Sequence, residues 1–164
     1  MKYLGVQINP WKGILVSPLR ETVKYLTDKL SRAPLKPSQN IDMLQTYALP
    51  RITYVADHAG VRTSLLKECD RDIDVVVKKW LHLEPSTTDG ILCSRNREGG
   101  HGLSRLATAI PAIQLQRLLS LYNSPDECTK VISRAVFPLN RIWQLWKKVW
   151  PEKVALGQKV RVGS

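Results

Sequence analysis

Cysteine is scarce in this chain, and acidic residues are heavily outnumbered. The three cysteines, Cys69, Cys93 and Cys128, are odd in number and far apart, which argues against a disulfide framework and for a reducing compartment. Together with His58, His82 and His101 they offer no CxxC or HxxxH spacing. Only Cys93 and His101 share a local loop, so these are read as buried or half-buried small residues and not as a zinc site. No apolar run reaches the roughly 20 residues of a membrane span, and the start lacks the layout of a secretory signal. A soluble intracellular protein with no membrane partner is therefore expected. Phosphate-loop chemistry is excluded as well, because the glycines of "REGGHGL" lack the Walker spacing and its Gly-Lys-Ser/Thr ending.

What is present is enough apolar residue for a core and a large excess of cations. At 164 residues and 43% hydrophobic content the chain can build one modest domain or two small pieces. Twenty-five Lys and Arg against 14 Asp and Glu give a net charge of +11, which favours a polyanionic partner, nucleic acid before an anionic membrane surface. The excess is roughly +4 through Gly60, +2 from Val61 to Ser124 and +5 beyond. Basic character is concentrated toward the two ends.

Along the chain, Tyr3, Val6 and Ile8 favour a strand, Asn9-Pro10 is a turn signal and Gly13 precedes Ile14-Leu15-Val16, so a short hairpin is predicted. A lone hairpin is marginal in water and must pack on something. Helices follow. Ser17 before Pro18 is an N-cap signal, with Leu19, Val23, Leu26 and Leu30 at helical spacing. Pro34 and Pro37 end this helix and start the next, with Ser38 as its cap. Its stripe is Ile41, Leu44, Ala48, Ile52 and Val55, kinked at Pro50 and closed by Gly60. A third helix, capped by Thr63 or Ser64, places Leu66, Cys69, Ile73, Val76, Val77 and Trp80 on one side, with Asp70, Arg71, Asp74, Lys78 and Lys79 elsewhere. Short proline and glycine breaks between three such helices predict a small bundle. Beyond Glu84, "EPSTTDG" reads as a loop and "ILCSRNREGGHGL", with Arg95 and Arg97, as a hairpin-like turn. Two more helices run through Ile113 to Tyr122 and Val136 to Trp150, with Pro111 and Pro138 at their breaks or first turns. The tail "PEKVALGQKVRVGS" has no periodicity.

The order "KYLGVQI", "RAPLKPSQNIDMLQTYALPRITY", "LLKECDRDIDVVVKKWLHL", "REGGHGLSRL" and "IPAIQLQRL" resembles the C-terminal part of reverse transcriptases from non-LTR retrotransposons, most closely the ribosomal-DNA-inserting type. The resemblance runs from about Lys2 to about Tyr122. It implies a mainly α fold: a palm-end, primer-grip-like hairpin over 1–16, a thumb-like three-helix bundle over 17–83, and a linker region over 84–164 with the glycine turn, two helices and a loose tail. It also implies a nuclear location. The implied function is that of a fragment of an RNA-directed DNA polymerase, contributing binding of RNA, RNA–DNA hybrid or DNA. The palm and endonuclease domains would be its companions.

Family palms hold two magnesium ions through an aromatic-Ala-Asp-Asp motif. That motif is absent, so no cofactor is assigned to this chain and it is expected not to polymerise alone. Asp70, Asp72 and Asp74 with Glu68 lie on a helix, where Asp70 and Asp74 share a face and Asp72 does not; solvated helix charges are the expectation. By resemblance, Leu4 and Gly5 lie at the primer grip, Lys36, Ser38 and Gln39 open the thumb helix, Arg51 follows its Leu-Pro, and Arg71, Lys78 and Lys79 fall on the third helix. With Arg95 and Arg97 they form the candidate nucleic-acid contacts, positioning a duplex through phosphates and 2′-hydroxyls. For Gln39 the competing reading is capping; Tyr47, Trp80 and Leu81 read as core.

Two departures stand out. His101 replaces the leucine of the family's Gly-Gly-Leu-Gly, and Cys69 replaces a helix leucine, a change that commonly costs a few kcal/mol. With Met1 directly before the palm-like run, they suggest a degenerate copy cut from a longer element. Trp143, Trp146 and Trp150, at i, i+3 and i+7 beside Lys147 and Lys148, suit packing first, base stacking second and a membrane interface third. The alternative function is a non-enzymatic basic helical protein, domesticated or spurious, that binds nucleic acid or a protein partner.

Overall fold

The computed structural model describes residues 19–59 and 61–150 with their side chains, apart from those of Asn96 and Leu139, and the strand backbones of 2–3, 6–9 and 13–14. The chain is mainly helical. Strands β1 (Lys2–Tyr3), β2 (Val6–Asn9) and β3 (Gly13–Ile14) pair antiparallel in that order, with Tyr3 opposite Val6 and Ile8 opposite Ile14. The expected cap at Ser17-Pro18, the closing Gly60 and the tail from Pro151 lie outside the described residues.

The chain divides into two compact units, the first ending at Ala107 and the second beginning at Thr108. In the first, α1 (Leu19–Arg32) packs mainly on α4 (Thr63–Trp80), and α2 (Pro37–Met43) leads through a π-helical turn at Leu44–Ala48 into α3 (Leu49–His58). The predicted apolar positions meet: Val23, Leu26, Leu30, Ile41, Leu44, Ile52, Leu66, Cys69, Ile73, Val77 and Trp80 are all buried. Each of the larger ones contributes about 1.5–3 kcal/mol by leaving water. Trp80 also donates its indole N–H to the Ser31 hydroxyl at 2.9 Å, which satisfies the polar atom carried into the core.

Proline explains the π-helical turn. Pro50 has no N–H to donate, and in a regular helix its ring meets the carbonyl four residues back. Here the turn before it widens, so that the Leu49 N–H reaches the Leu44 carbonyl five residues back, and the rod continues. The expected kink is thus a widened turn. Its neighbour Tyr47, expected in the core, is 51% exposed.

Two caps also differ from expectation. At α2 the N-cap is Lys36, with Pro37 at the first helical position, and its backbone N–H donates to the Gln39 side-chain oxygen at 3.0 Å; Ser38 lies inside the helix. Gln39 closes this end because it stands at N3, where a side-chain acceptor reaches back. At α4 the N-cap is Arg62, so Thr63 and Ser64 are already helical.

After Trp80 comes a short helix α5 (Gly90–Cys93), a 3₁₀ turn (Asn96–Glu98) and the glycine loop. No strand hairpin forms at these residues. Instead the loop folds back on α5, with Leu103 N–H donating to Leu92 O at 2.9 Å and Gly102 N–H to Ser94 O at 2.8 Å. A Cβ at Gly100 would lie 2.2 Å from the Ser94 carbonyl oxygen, so only glycine fits there.

Helix α6 (Leu106–Tyr122) carries Pro111 in its second turn rather than at a break. In the second unit, α7 (Glu127–Val136) is capped by Asp126, which accepts from Thr129 N–H at 2.8 Å. Helix α8 (Leu139–Val149) brings Ile142, with Leu145, Trp146 and Val149, onto Leu115, Leu118 and Tyr122. The packing reading of the tryptophans holds for Trp146. Trp150 rests against it with ring centroids 4.6 Å apart, and Trp143 carries the Lys147 ammonium 5.4 Å over its ring.

Candidate nucleic-acid interface

Helix α4 has three faces rather than two. Opposite its buried apolar stripe, Lys67, Arg71, Val75 and Lys79 follow one another at intervals of four and are all exposed, Val75 by 67%. Residues four apart stack on one helix surface, so three cations line a strip about 18 Å long. Lys67 was not among the expected contacts, although its spacing to Arg71 was visible.

Lys78 lies off this strip. Its ammonium pairs with Asp89 at 2.7 Å and donates to the Pro85 carbonyl at 3.1 Å, with the side chain only 12% exposed. The pairing holds the Asp89 carboxyl below the usual carboxylate range.

The third face is acidic and buried, which corrects the expectation of solvated carboxylates. Asp70 and Asp74 are each 5% exposed. Asp70 accepts from the backbone N–H groups of Leu106 at 2.8 Å and Ala107 at 3.0 Å, so it caps the first turn of α6 from another helix. Burial pushes its carboxyl above the ordinary range, against the pull of those two N–H groups. Asp74 meets the Arg105 guanidinium at 3.2 Å; burial raises its carboxyl too, and Arg105 opposes the shift. Arg105 reaches on to the Cys93 sulfur at 3.1 Å and Asp89 at 3.7 Å. The charges stay hidden because partners arrive from 31 to 37 residues away, a distance no local pattern reports.

Asp72, on the remaining side, is bridged to Arg20 at 2.7 Å, which holds its carboxyl below the usual range. These carboxylates do not fit a two-metal centre, since each is already engaged by a backbone or guanidinium donor. Among the described residues no group of three His, Cys, Asp or Glu side chains is gathered to hold an ion.

The other expected contacts are scattered. Leu4 and Gly5 lie outside the described residues. Lys36 and Ser38 are exposed at the start of α2, where the Gln39 side chain is engaged in capping. Arg95 and Arg97 are exposed beside the glycine loop, whose His101 carbonyl accepts from the Gln45 amide at 2.6 Å. Cys69 is fully buried and its thiol is pushed up to about 11 by desolvation, so it serves as an inert packing residue. Arg51 is exposed, with its guanidinium donating to the Tyr47 hydroxyl at 3.3 Å.

Among the described residues no helix is long and apolar enough to cross a membrane.

No protein-family model matches the chain. Individual proteins do. It is 36% identical over 125 residues to the retrovirus-related Pol polyprotein from type-1 retrotransposable element R2 of Popillia japonica, an alignment covering 76% of this chain and 20% of that protein. Against the corresponding polyprotein of the type-2 element R2DM of Drosophila melanogaster it is 27% identical over 120 residues, 73% of this chain and 11% of the relative. With the type-1 R2 polyprotein of Nasonia vitripennis it shares 27% identity over 151 residues, 91% of this chain and 14% of the relative. It spans at most about a fifth of the length of these three relatives. Across most of its residues, this chain is a homologue of the Pol polyproteins of R2 non-LTR retrotransposons.

Proposed function

We propose that this chain is the thumb-like part of an R2-type reverse transcriptase, holding an RNA–DNA template–primer by its backbone while the chemistry of nucleotide addition is done by other sequence. In this reading residues 1–16 form the primer-grip hairpin, 17–83 the three-helix thumb, and 84–164 the linker region. A palm holding magnesium and an endonuclease domain are the companions, and the nucleus is the place of action. The exposed Lys67, Arg71 and Lys79 strip on α4 carries the proposal. It presents cations about 6 and 12 Å apart along the helix, a row that suits contact with phosphates of one backbone and positions a duplex without reading its sequence. Lys36, Ser38, Arg51, Arg95 and Arg97 extend the contact surface, Leu4 and Gly5 are assigned to the primer grip by resemblance, and Gln39 and Lys78 support it from their internal bonds.

Binding of the purified chain to a labelled RNA–DNA hybrid across a salt series tests this. Log affinity falls steeply against log salt, and replacing Lys67, Arg71 and Lys79 together by Gln flattens the slope by roughly one per lost contact. An unchanged slope overturns the assignment.

A second reading, a non-enzymatic helical protein that binds a protein partner, is favoured by one observation. Helix α7 exposes Val131, Ile132 and Val136 by 60% or more, an apolar stripe of the kind that a partner covers.

A further inference from the structure

The rod made by the π-helical turn and α3 buries Leu44, Ala48, Leu49, Ile52, Val55 and Ala56. Its outer side is unusual for a solvent face. Tyr47 is 51% exposed and Tyr54 40%, and Arg51 and His58 are exposed with them. Positions 47, 51, 54 and 58 fall within about 60° of one another around a helix axis and span about 16 Å along it.

The rings are also held in place. Arg51 donates to the Tyr47 hydroxyl at 3.3 Å. The Tyr54 and His58 rings lie 4.4 Å apart, and His58 Nδ1 is 2.8 Å from the Tyr54 carbonyl oxygen, which fixes the imidazole when that nitrogen carries the proton. Asp57, the neighbouring carboxylate, has its Oδ2 4.0 Å from His58 Nδ1 and its side chain only 6% exposed, so it offers little negative charge to solvent beside the row. An exposed aromatic row with a guanidinium at its centre, already ordered, loses little freedom on contact. It matches the flat faces and backbone charge of an unpaired nucleic-acid strand, as aromatic platforms with interleaved cations do. An aliphatic protein surface would not use the cation, and the net charge of +11 disfavours a basic one.

We infer that Tyr47, Arg51, Tyr54 and His58 form a stacking platform for an unpaired stretch of RNA or DNA, with bases on the rings and a phosphate at Arg51. The inference rests on the reading of the chain as a nucleic-acid-holding module, and it adds a second site, distinct in chemistry from the phosphate strip on α4.

The full chain is titrated with short single-stranded RNA and DNA oligonucleotides carrying 5-iodouridine or 5-iododeoxyuridine, and with a blunt RNA–DNA hybrid. Irradiation is expected to cross-link the single strands to Tyr47 or Tyr54. Replacing both tyrosines by alanine lowers single-strand affinity on the order of tenfold or more and leaves hybrid affinity within about twofold. Y47F/Y54F, which keeps the rings, restores binding, and Tyr25→Ala, removing an exposed tyrosine of α1, changes nothing. Circular dichroism verifies that the variants stay folded. Unchanged single-strand affinity in the alanine variant, or cross-links only elsewhere, overturns the platform while hybrid binding survives. Loss of hybrid binding by the unmodified chain, with tyrosine-dependent single-strand binding retained, overturns the thumb reading and leaves the platform standing.

Discussion

Helices α4 and α7 are both amphipathic, but one buries its apolar face and the other exposes it. In α4 the apolar stripe of Leu66, Cys69, Ile73 and Val77 is buried and three cations meet solvent. In α7 it is Ser133 that is buried, donating to the carbonyls of Leu121 and Lys130, while Val131, Ile132 and Val136 are exposed. Periodicity reports that a helix has two faces; which one turns inward depends on what packs against it. The same point applies within α4, where Asp70 and Asp74 are as buried as its leucine and isoleucine because backbone and guanidinium donors come to meet them.

The sharpest way to break this comparison is to cut the same side chain on both helices. Ile73→Ala is expected to lower unfolding stability by about 2–5 kcal/mol, since its methyl groups leave a cavity. Ile132→Ala is expected to stay within about 0.5 kcal/mol. Urea denaturation of the two variants measures both, and equal losses would mean that the α7 stripe is covered in solution.

A smaller effect is expected at the acidic face. Asp70→Ala removes the cap of α6 and is expected to cost about 1–2 kcal/mol, with faster amide exchange at Leu106 and Ala107 as its local signature. Asp70→Asn keeps one acceptor and is expected to be milder. The pH dependence separates charge from cap. A carboxyl raised in the folded state stabilises the fold when protonated, and that contribution fades as pH rises through its folded value. The stability of the unaltered chain relative to Asp70→Asn should therefore increase as pH falls through the carboxylate range. Asp72 has the opposite sign: its lowered carboxyl stabilises above the unfolded value and loses that contribution on acidification, so Asp72→Asn should flatten the acid limb of the stability curve.

The smallest change in stability, with the clearest change in behaviour, is expected from Ile132→Gln with Val136→Gln. Unfolding midpoints should hardly move, whereas sedimentation at rising concentration should show less self-association if the stripe is sticky. No change in sedimentation would remove the α7 face as an interaction surface.

Much of the helical layout was legible because apolar residues three and four apart leave few alternatives. The stripes of α1, α3 and α4 were read from that spacing. Trp80 was placed correctly, whereas Tyr47 was not, since both rings looked equally apolar in sequence. The π-helical turn was missed in form because Pro50 signals trouble without saying how the chain relieves it. The caps of α2 and α4 went to the wrong residues, as a backbone N–H can be served from N3 as readily as from the cap position. The exposed row of Tyr47, Arg51, Tyr54 and His58 had a visible signal, aromatic and basic residues recurring on one face, but Tyr47 reads as core and only Arg51 as a contact, so the four are not taken together. Asp70 and Arg105 had no local signal at all.

The glycine loop has a consequence in genetic terms. Glycine is encoded by four codons that share their first two bases, so every change at either of those bases replaces it, and at Gly100 any replacement drives a Cβ into the Ser94 carbonyl. The exposed Lys67, Arg71 and Lys79 are the reverse case in steric terms, because their side chains meet solvent and a replacement there changes charge without forcing the backbone to move.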